Sequence, residues 1–351
     1  MQLFNYFIAG PCAAESEEQV YETARQLYEH SKGFPIPLSF FRAGVWKPRS
    51  SANSFCGVGE VAFPWLQRVE KDFHFPICVE VANTQHIEIC QKYNIRHIWI
   101  GARTAVNPFI IQDLADATHN GNFTVMVKNP VIPDLKLWIG NIERFEKAGA
   151  AQVLAVHRGF AEQKENVLRN APLWEIPIEL RIQRPDIPII CDPSHIAGNT
   201  TYIKQISQIA IDYGFNGLMI ETHCFPTKAL SDQQQQLTPD ELQTLLSQLI
   251  FKQNNLPDNL LRKQRTLIRN IDAQISQLLS KRMELVEEIA KIKKERQMPL
   301  IQPEQWNQVV NNYQQYAHHD PCFDEFLQKY LSLLHQYSLL KQQEINHENN
   351  H

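Results

Sequence analysis

The chain has no apolar run approaching the ~18–20 residues that span a bilayer, which argues against a membrane-spanning protein. It also lacks a basic surplus. Its 34 Lys and Arg stand against 38 Asp and Glu, for a net charge of −4 and a pI near 6.4. A general nucleic-acid binder normally shows the opposite balance. Residues 1–14 hold no basic stretch ahead of their apolar residues, so they do not read as a secretion signal. No CxxC pair occurs. The seven cysteines, at positions 12, 56, 78, 90, 191, 224 and 322, are odd in number and scattered. That argues against a disulfide scaffold and predicts a reduced, cytoplasmic compartment.

What is present suits two globular domains: 351 residues, 43% hydrophobic and 21% charged. The composition shifts near residue 250. Before it lie eight short, β-rich apolar runs, at 7–13, 39–45, 76–81, 97–102, 124–128, 152–157, 188–191 and 217–222. Helical patterns alternate with them, as at 15–30, 84–93, 134–148 and 200–213. Near-continuous apolar strands alternating with helices imply a parallel sheet covered on both faces. Eight such units in about 250 residues predict a closed (β/α)₈ TIM barrel of the α/β class. The first run starts so early that no regulatory domain is expected ahead of it. The glutamine run at 233–236 is expected in the last βα loop and, being short, without consequence. The polar segment 252–259 reads as a linker. The expected domains are therefore a barrel over 1–251 and an all-α three-helix tail over 260–351.

In the tail, Leu267, Ile271, Ile275, Leu278, Leu279, Leu285, Ile289 and Ile292 recur at three- and four-residue spacing. They predict one amphipathic helix over 260–297, about 55 Å long. Pro299 and Pro303 end it, and two further helices are expected near 304–316 and 324–346. So long an apolar stripe needs a partner helix, most simply from a second copy in a homodimer or larger assembly.

Polar residues cluster where the eight runs stop: Cys12, then Arg42 with Lys47, Arg49 and Ser50, then Arg103, Lys128, Arg158, Asp192 with His195, and Glu221 with Asp232 in the loop beyond. In a barrel these ends share the face that holds active sites. One strand-end cation is usually a surface charge. Six converging in an acidic chain are better explained by phosphate and carboxylate groups of a substrate. Cys12, His195, Glu221 and Asp232 offer thiolate, imidazole and carboxylate donors from adjoining strands one, seven and eight, a set suited to a divalent metal. Alone, each would more simply be a packed cysteine or a hydrogen-bonded histidine.

These residues carry a resemblance. Gly10-Pro-Cys12-Ala-Ala-Glu15, Lys47-Pro-Arg49-Ser50, Gly101-Ala-Arg103, Asp192-Pro-Ser-His195-Ile-Ala-Gly198, and Glu221-Thr-His223 leading to Ala229-Leu-Ser-Asp232 make the first 250 residues similar to 3-deoxy-D-arabino-heptulosonate-7-phosphate (DAHP) synthases of the short type I subgroup. The resemblance implies a transferase of the shikimate pathway that condenses phosphoenolpyruvate (PEP) with erythrose 4-phosphate. It implies metal ligation by Cys12, His195, Glu221 and Asp232, with Mn²⁺, Fe²⁺, Co²⁺ or Zn²⁺ all compatible. It implies PEP binding by Arg42, Lys47, Arg103, Lys128 and Arg158, and acceptor-phosphate binding by Arg49 and Ser50. Lys47 is suited to stabilise charge between the two substrates, and Asp192 is expected within the substrate site. Sister enzymes that make octulosonate phosphate carry an Asn-containing motif in place of Lys47-Pro-Arg49-Ser50, which favours a four-carbon acceptor. A related PEP-dependent sugar-acid synthase is the alternative.

On the long tail helix, Arg282 and Lys293 lie three turns apart on one face, whereas Arg265 points about 100° away, as would suit a residue reaching into a partner's site. Leu261-Arg-x-x-Arg265, Ile271-Asp272, Leu278-Leu279, Arg282, Glu284-Leu285-Val286, Ile289-Ala-Lys291-Ile-Lys293, and Ser338 with Gln342 make the tail similar to the all-helical chorismate mutases. That implies an intertwined dimer, with Arg265, Arg282 and Lys293 gripping chorismate and Lys293 and Gln342 bonding its ether oxygen. Gln302, Gln305 and Trp306 stand where the family usually has an Asp and an Arg-Glu pair. A catalytically inactive sensor or dimerisation module is the alternative. Because the tail holds the second metabolite site of the chain, it is also expected to carry feedback inhibition of the barrel by prephenate or chorismate.

Overall fold

The computed structural model describes residues 4–47, 55–119, 121–161, 167–251, 259–314 and 320–347. The chain divides into two compact units, Met1–Asn254 and Asn255–His351. In the first unit, eight strands close into a parallel barrel in chain order: β1 (Tyr6–Gly10), β2 (Phe40–Ala43), β3 (Ile77–Val81), β4 (His97–Ile100), β5 (Thr124–Lys128), β6 (Gln152–His157), β7 (Ile189–Cys191) and β8 (Gly217–Glu221). Closure is a β1–β8 pairing that runs from Tyr6↔Gly217 to Gly10↔Glu221. Each expected run holds a strand, although several strands stop short. The first ends at Gly10 rather than residue 13, because Pro11 has no N–H to extend the ladder.

Helices α1 (Glu17–Ser31), α2 (Phe63–Phe73), α3 (Thr84–Lys92), α4 (Pro108–Thr118), α5 (Leu135–Lys147), α6 (Glu175–Gln183), α7 (Pro193–Ala197), α8 (Ile203–Asp212) and α9 (Pro239–Ser247) accompany the strands. Their starts are written locally. Ser16 caps α1 with Glu17 and Glu18 in its first turn, Asn107 and Asp134 cap α4 and α5, and Thr238 and Glu241 form a reciprocal capping box on α9. Outward strand residues such as Phe7, Phe41, Val79, Val125 and Ala155 join the helix faces in one large core. A second, smaller core fills the barrel itself: Ile8, Phe40, Cys78, Trp99, Met126, Leu154, Val156, Ile190 and Met219.

The second unit is α10 (Asn259–Glu295), α11 (Pro303–Gln314) and α12 (Pro321–His347). Only a little of it is buried, notably Val286, Ala290, Leu331, Ser338 and Gln342. The apolar stripe of α10 stays exposed at Leu267, Ile271, Ile275, Leu278, Leu285, Ile289 and Ile292. No helix among the described residues is long and apolar enough to cross a membrane. No disulfide joins the cysteines; Cys12, Cys78, Cys90, Cys191 and Cys224 are buried, and Cys56 and Cys322 are exposed.

Candidate active sites

In five segments an inward apolar residue is followed, two positions on, by a charged one: Phe40 by Arg42, Cys78 by Glu80, Met126 by Lys128, Ile190 by Asp192 and Met219 by Glu221. Strand pleating places both members of each pair on the same side. A charged layer therefore sits directly on the apolar one, at the C-terminal mouth of the barrel. The Trp99 indole lies beneath it, 5.0 Å from the Arg42 guanidinium and 5.9 Å from Lys128 Nζ, within cation–π range. Two glycines make the layer possible. A Cβ on Gly101 would lie 2.2 Å from Glu80 Oε1, and one on Gly10, at φ +142°, would lie 2.2 Å from the Arg42 carbonyl oxygen.

Donor atoms of Cys12, Glu221 and Asp232 gather within 4.8 Å of one another. Cys12 Sγ donates to Asp232 Oδ2 at 3.2 Å, and Arg42 Nη2 donates to Glu221 Oε1 at 2.8 Å. His195, expected as the fourth member, stands outside this triangle. Its Nε2 is 3.7 Å from Glu221 Oε1, while its Nδ1 is 2.8 Å from Asp192 Oδ2. Arg169, which the sequence reading missed, donates to Asp232 Oδ1 at 3.0 Å and to Gln235 Oε1 at 2.7 Å. Gln235 Nε2 donates to Glu221 Oε2 at 2.6 Å, and Gln236 Oε1 accepts from the Cys12 N–H at 2.9 Å. The glutamine run does lie in the last loop, but it is not inconsequential: two of its side chains are buried and bond the Cys12 backbone and the Glu221 carboxylate.

A cavity of about 360 Å³ opens above, lined by Lys47, Glu80, Arg103, Lys128, Arg158, Arg169, His195 and Asp232 among others. Arg42 lies fully buried below it, with Nε and Nη1 unpartnered. Lys47 Nζ donates to the Cys12 carbonyl at 2.9 Å and sits 4.0 Å from Glu80. Glu80 was also missed, although its period-two spacing from Cys78 marks it. Arg169, Gln235 and Gln236 carry no such signal, since they come from loops. Arg49 and Ser50 lie outside the described residues.

Burial, with Glu221 nearby, pushes the Cys12 thiol up to about 12. Burial would raise Asp232 as well, but Arg169 and the His195 ring hold it below the usual carboxylate range. Burial lowers His195 and pulls Arg158 down to about 10. Asp192 stays well below the ordinary range despite its burial, because His195 and Lys128 face it, the latter at 2.8 Å.

In the helical unit, a cavity of about 510 Å³ is lined by Arg282 and Lys293 from α10, by Gln302, Gln305 and Trp306, and by His335, Ser338 and Gln342 from α12. Arg282 Nη1 donates to Ser338 Oγ at 2.8 Å, and Lys293 Nζ to the Leu300 carbonyl at 2.6 Å. Gln342 is buried with its Oε1 unpartnered. Arg265 is not among the lining residues. Seventeen residues from Arg282 at 1.5 Å each, it lies about 26 Å along the helix.

A (β/α)₈ barrel whose mouth joins a thiol–carboxylate cluster to converging cations is the framework of an enzyme that handles anionic substrates. The chain belongs to the DAHP synthetase I family, whose model matches residues 5–256, and residues 264–343 match the model for chorismate mutase type II. A phospho-2-dehydro-3-deoxyheptonate aldolase of Thermotoga maritima is 27% identical over 253 residues, covering 72% of this chain and 70% of that protein. A 2-dehydro-3-deoxyphosphooctonate aldolase of Wolinella succinogenes is 26% identical over 264 residues, covering 69% and 97%. The crystal structure of the Thermotoga DAHP synthase superimposes with a TM-score of 0.61 at 27% identity, covering 70% of this chain and 68% of that one.

Proposed function

We propose that the barrel condenses PEP with erythrose 4-phosphate to give DAHP and phosphate, and that the tail rearranges chorismate to prephenate. The observation that carries the first half is the meeting, in one mouth, of the Cys12–Glu221–Asp232 cluster with Lys47, Arg103, Lys128 and Arg158. The mixed sulfur and oxygen donors fit a borderline divalent ion, Mn²⁺, Fe²⁺, Co²⁺ or Zn²⁺. Such an ion, when bound, supplies Lewis-acid activation of the acceptor aldehyde. His195 Nε2, beside Glu221, is the fourth donor; the Asp192 carboxylate on its Nδ1 orients the ring. Arg42, Lys128, Arg103 and Arg158 hold the PEP phosphate and carboxylate, and Lys47 stands between both substrates. Arg49 and Ser50 are assigned to the acceptor phosphate.

Both kinds of aldolase named above are relatives, so the acceptor decides between them. Purified full-length protein is assayed with PEP and either erythrose 4-phosphate or a five-carbon aldose phosphate, before and after chelation. Release of phosphate with the four-carbon sugar, abolished by chelator, is expected; preference for the five-carbon sugar overturns the reading.

For the tail, the support is the single cavity that joins Arg282, Lys293, Ser338 and Gln342. Arg282 and Lys293 bind the dianion, and the Lys293 ammonium with the Gln342 Nε2 amide group donates to the ether oxygen, so that catalysis is orientation plus electrostatics. Arg265, too far along α10 for its own cavity, belongs to that of a second copy whose α10 covers the exposed stripe. Prephenate or chorismate held there is assigned a second effect, feedback inhibition of the barrel.

A further inference from the structure

Part of the wall of the tail cavity, beside Ser338 and Gln342, is aromatic. Trp306 of α11 stacks on His335 of α12, with centroids 4.0 Å apart and planes at 28°. Both rings are half-buried and both line the cavity. His335 precedes Ser338 by three residues and Gln342 by seven, so all three share one face of α12. Burial lowers the His335 imidazole, and the positive charges of Arg282 and Lys293 lower it further. Both effects favour the uncharged ring, which lines the cavity with hydrogen-bonding nitrogens and adds no third cation. Meanwhile Gln302, Gln305 and Trp306 leave this wall with no carboxylate.

A cyclic dicarboxylate with a ring hydroxyl has three features to be read. Arg282 and Lys293 take its anionic groups. An apolar ring face and a hydroxyl remain. We infer that Trp306 and His335 form the specificity wall of this cavity, Trp306 covering the substrate's ring face and His335 hydrogen-bonding its ring hydroxyl. This rests on the mutase reading above. A site that hydrogen-bonds a hydroxyl disfavours the analogue lacking it, because its own polar group is then left unpaired.

The test compares kcat/KM of the full-length protein for chorismate and for the analogue without the ring hydroxyl. Wild-type protein is expected to prefer chorismate by about tenfold or more. His335→Phe keeps a ring against Trp306 but removes the nitrogens, and is expected to lose that preference. His335→Asn restores a hydrogen-bonding group and is expected to recover part of it. A ratio unchanged in both variants overturns the inference while leaving the mutase reading intact. Wild-type protein that turns over neither compound removes the mutase reading, and this inference with it.

Discussion

A thiol pushed up to about 12 stays protonated at neutral pH unless a cation takes the proton's place, so metal bound at Cys12, as proposed above, would release a proton. Cys12→Ala should therefore lose most bound metal and most synthase activity, yet keep the circular-dichroism spectrum of the barrel. Elemental analysis decides: a stoichiometric ion retained by the variant removes Cys12 from the ligand set. Gly10 tests the backbone beneath. Its φ of +142° and the 2.2 Å approach of a Cβ to the Arg42 carbonyl oxygen leave no room for a side chain. Gly10→Ala should cost about 2 kcal/mol or more, which for a barrel of this size lowers Tm by roughly 4–8 °C. A calorimetric scan that shows no shift contradicts the close packing described for the β1–β2 junction.

At the scale of the element, α10 does two things with different parts of its length. Its C-terminal half carries Arg282 and Lys293 into the tail cavity. A charge-assisted bond to a substrate carboxylate is worth about 1.5–3 kcal/mol. Arg282→Ala is thus expected to slow chorismate turnover at least tenfold, and DAHP formation measured without any effector should be unchanged. The N-terminal half displays Leu267, Ile271 and Ile275 to solvent. On the dimer proposed above, a second copy covers this exposed stripe. Ile271→Glu should shift sedimentation toward the monomer and abolish mutase activity with it, since Arg265 would no longer reach a neighbouring site. A monomeric wild-type protein with full mutase activity contradicts that reading.

For the whole molecule, the question is whether two catalytic units on one chain influence one another. Control requires two states in which the tail cavity binds its ligand differently. A coupling of ~1–3 kcal/mol would give roughly 5- to 150-fold inhibition. Prephenate titrated into the synthase assay should inhibit the full-length protein and spare both a 1–254 truncation and the full-length Arg282→Ala variant. By reciprocity, PEP should weaken prephenate binding by the same factor. Inhibition of all three proteins alike would place the effector on the barrel, and inhibition of none would leave fusion without a regulatory role.

Composition and periodicity alone determined the eight strands, the break near residue 250 and the long tail helix, because alternation and three-to-four spacing are local properties of the chain. The same local logic put Arg42, Lys128, Asp192 and Glu221 at one end of the barrel, and would also have put Glu80 there. Arg169, Gln235 and Gln236 were not legible. Each matters only through partners supplied by chain closure, such as the Cys12–Asp232 contact across 220 residues of sequence. Only the tertiary structure could place His195 with one nitrogen on Asp192 and the other beside Glu221, outside the triangle of Cys12, Glu221 and Asp232 with which the sequence grouped it. The tail repeats the division. Spacing set Arg282 and Lys293 on a common face, but the stacking of Trp306 on His335 depends on how α11 folds back against α12, which no single helix encodes.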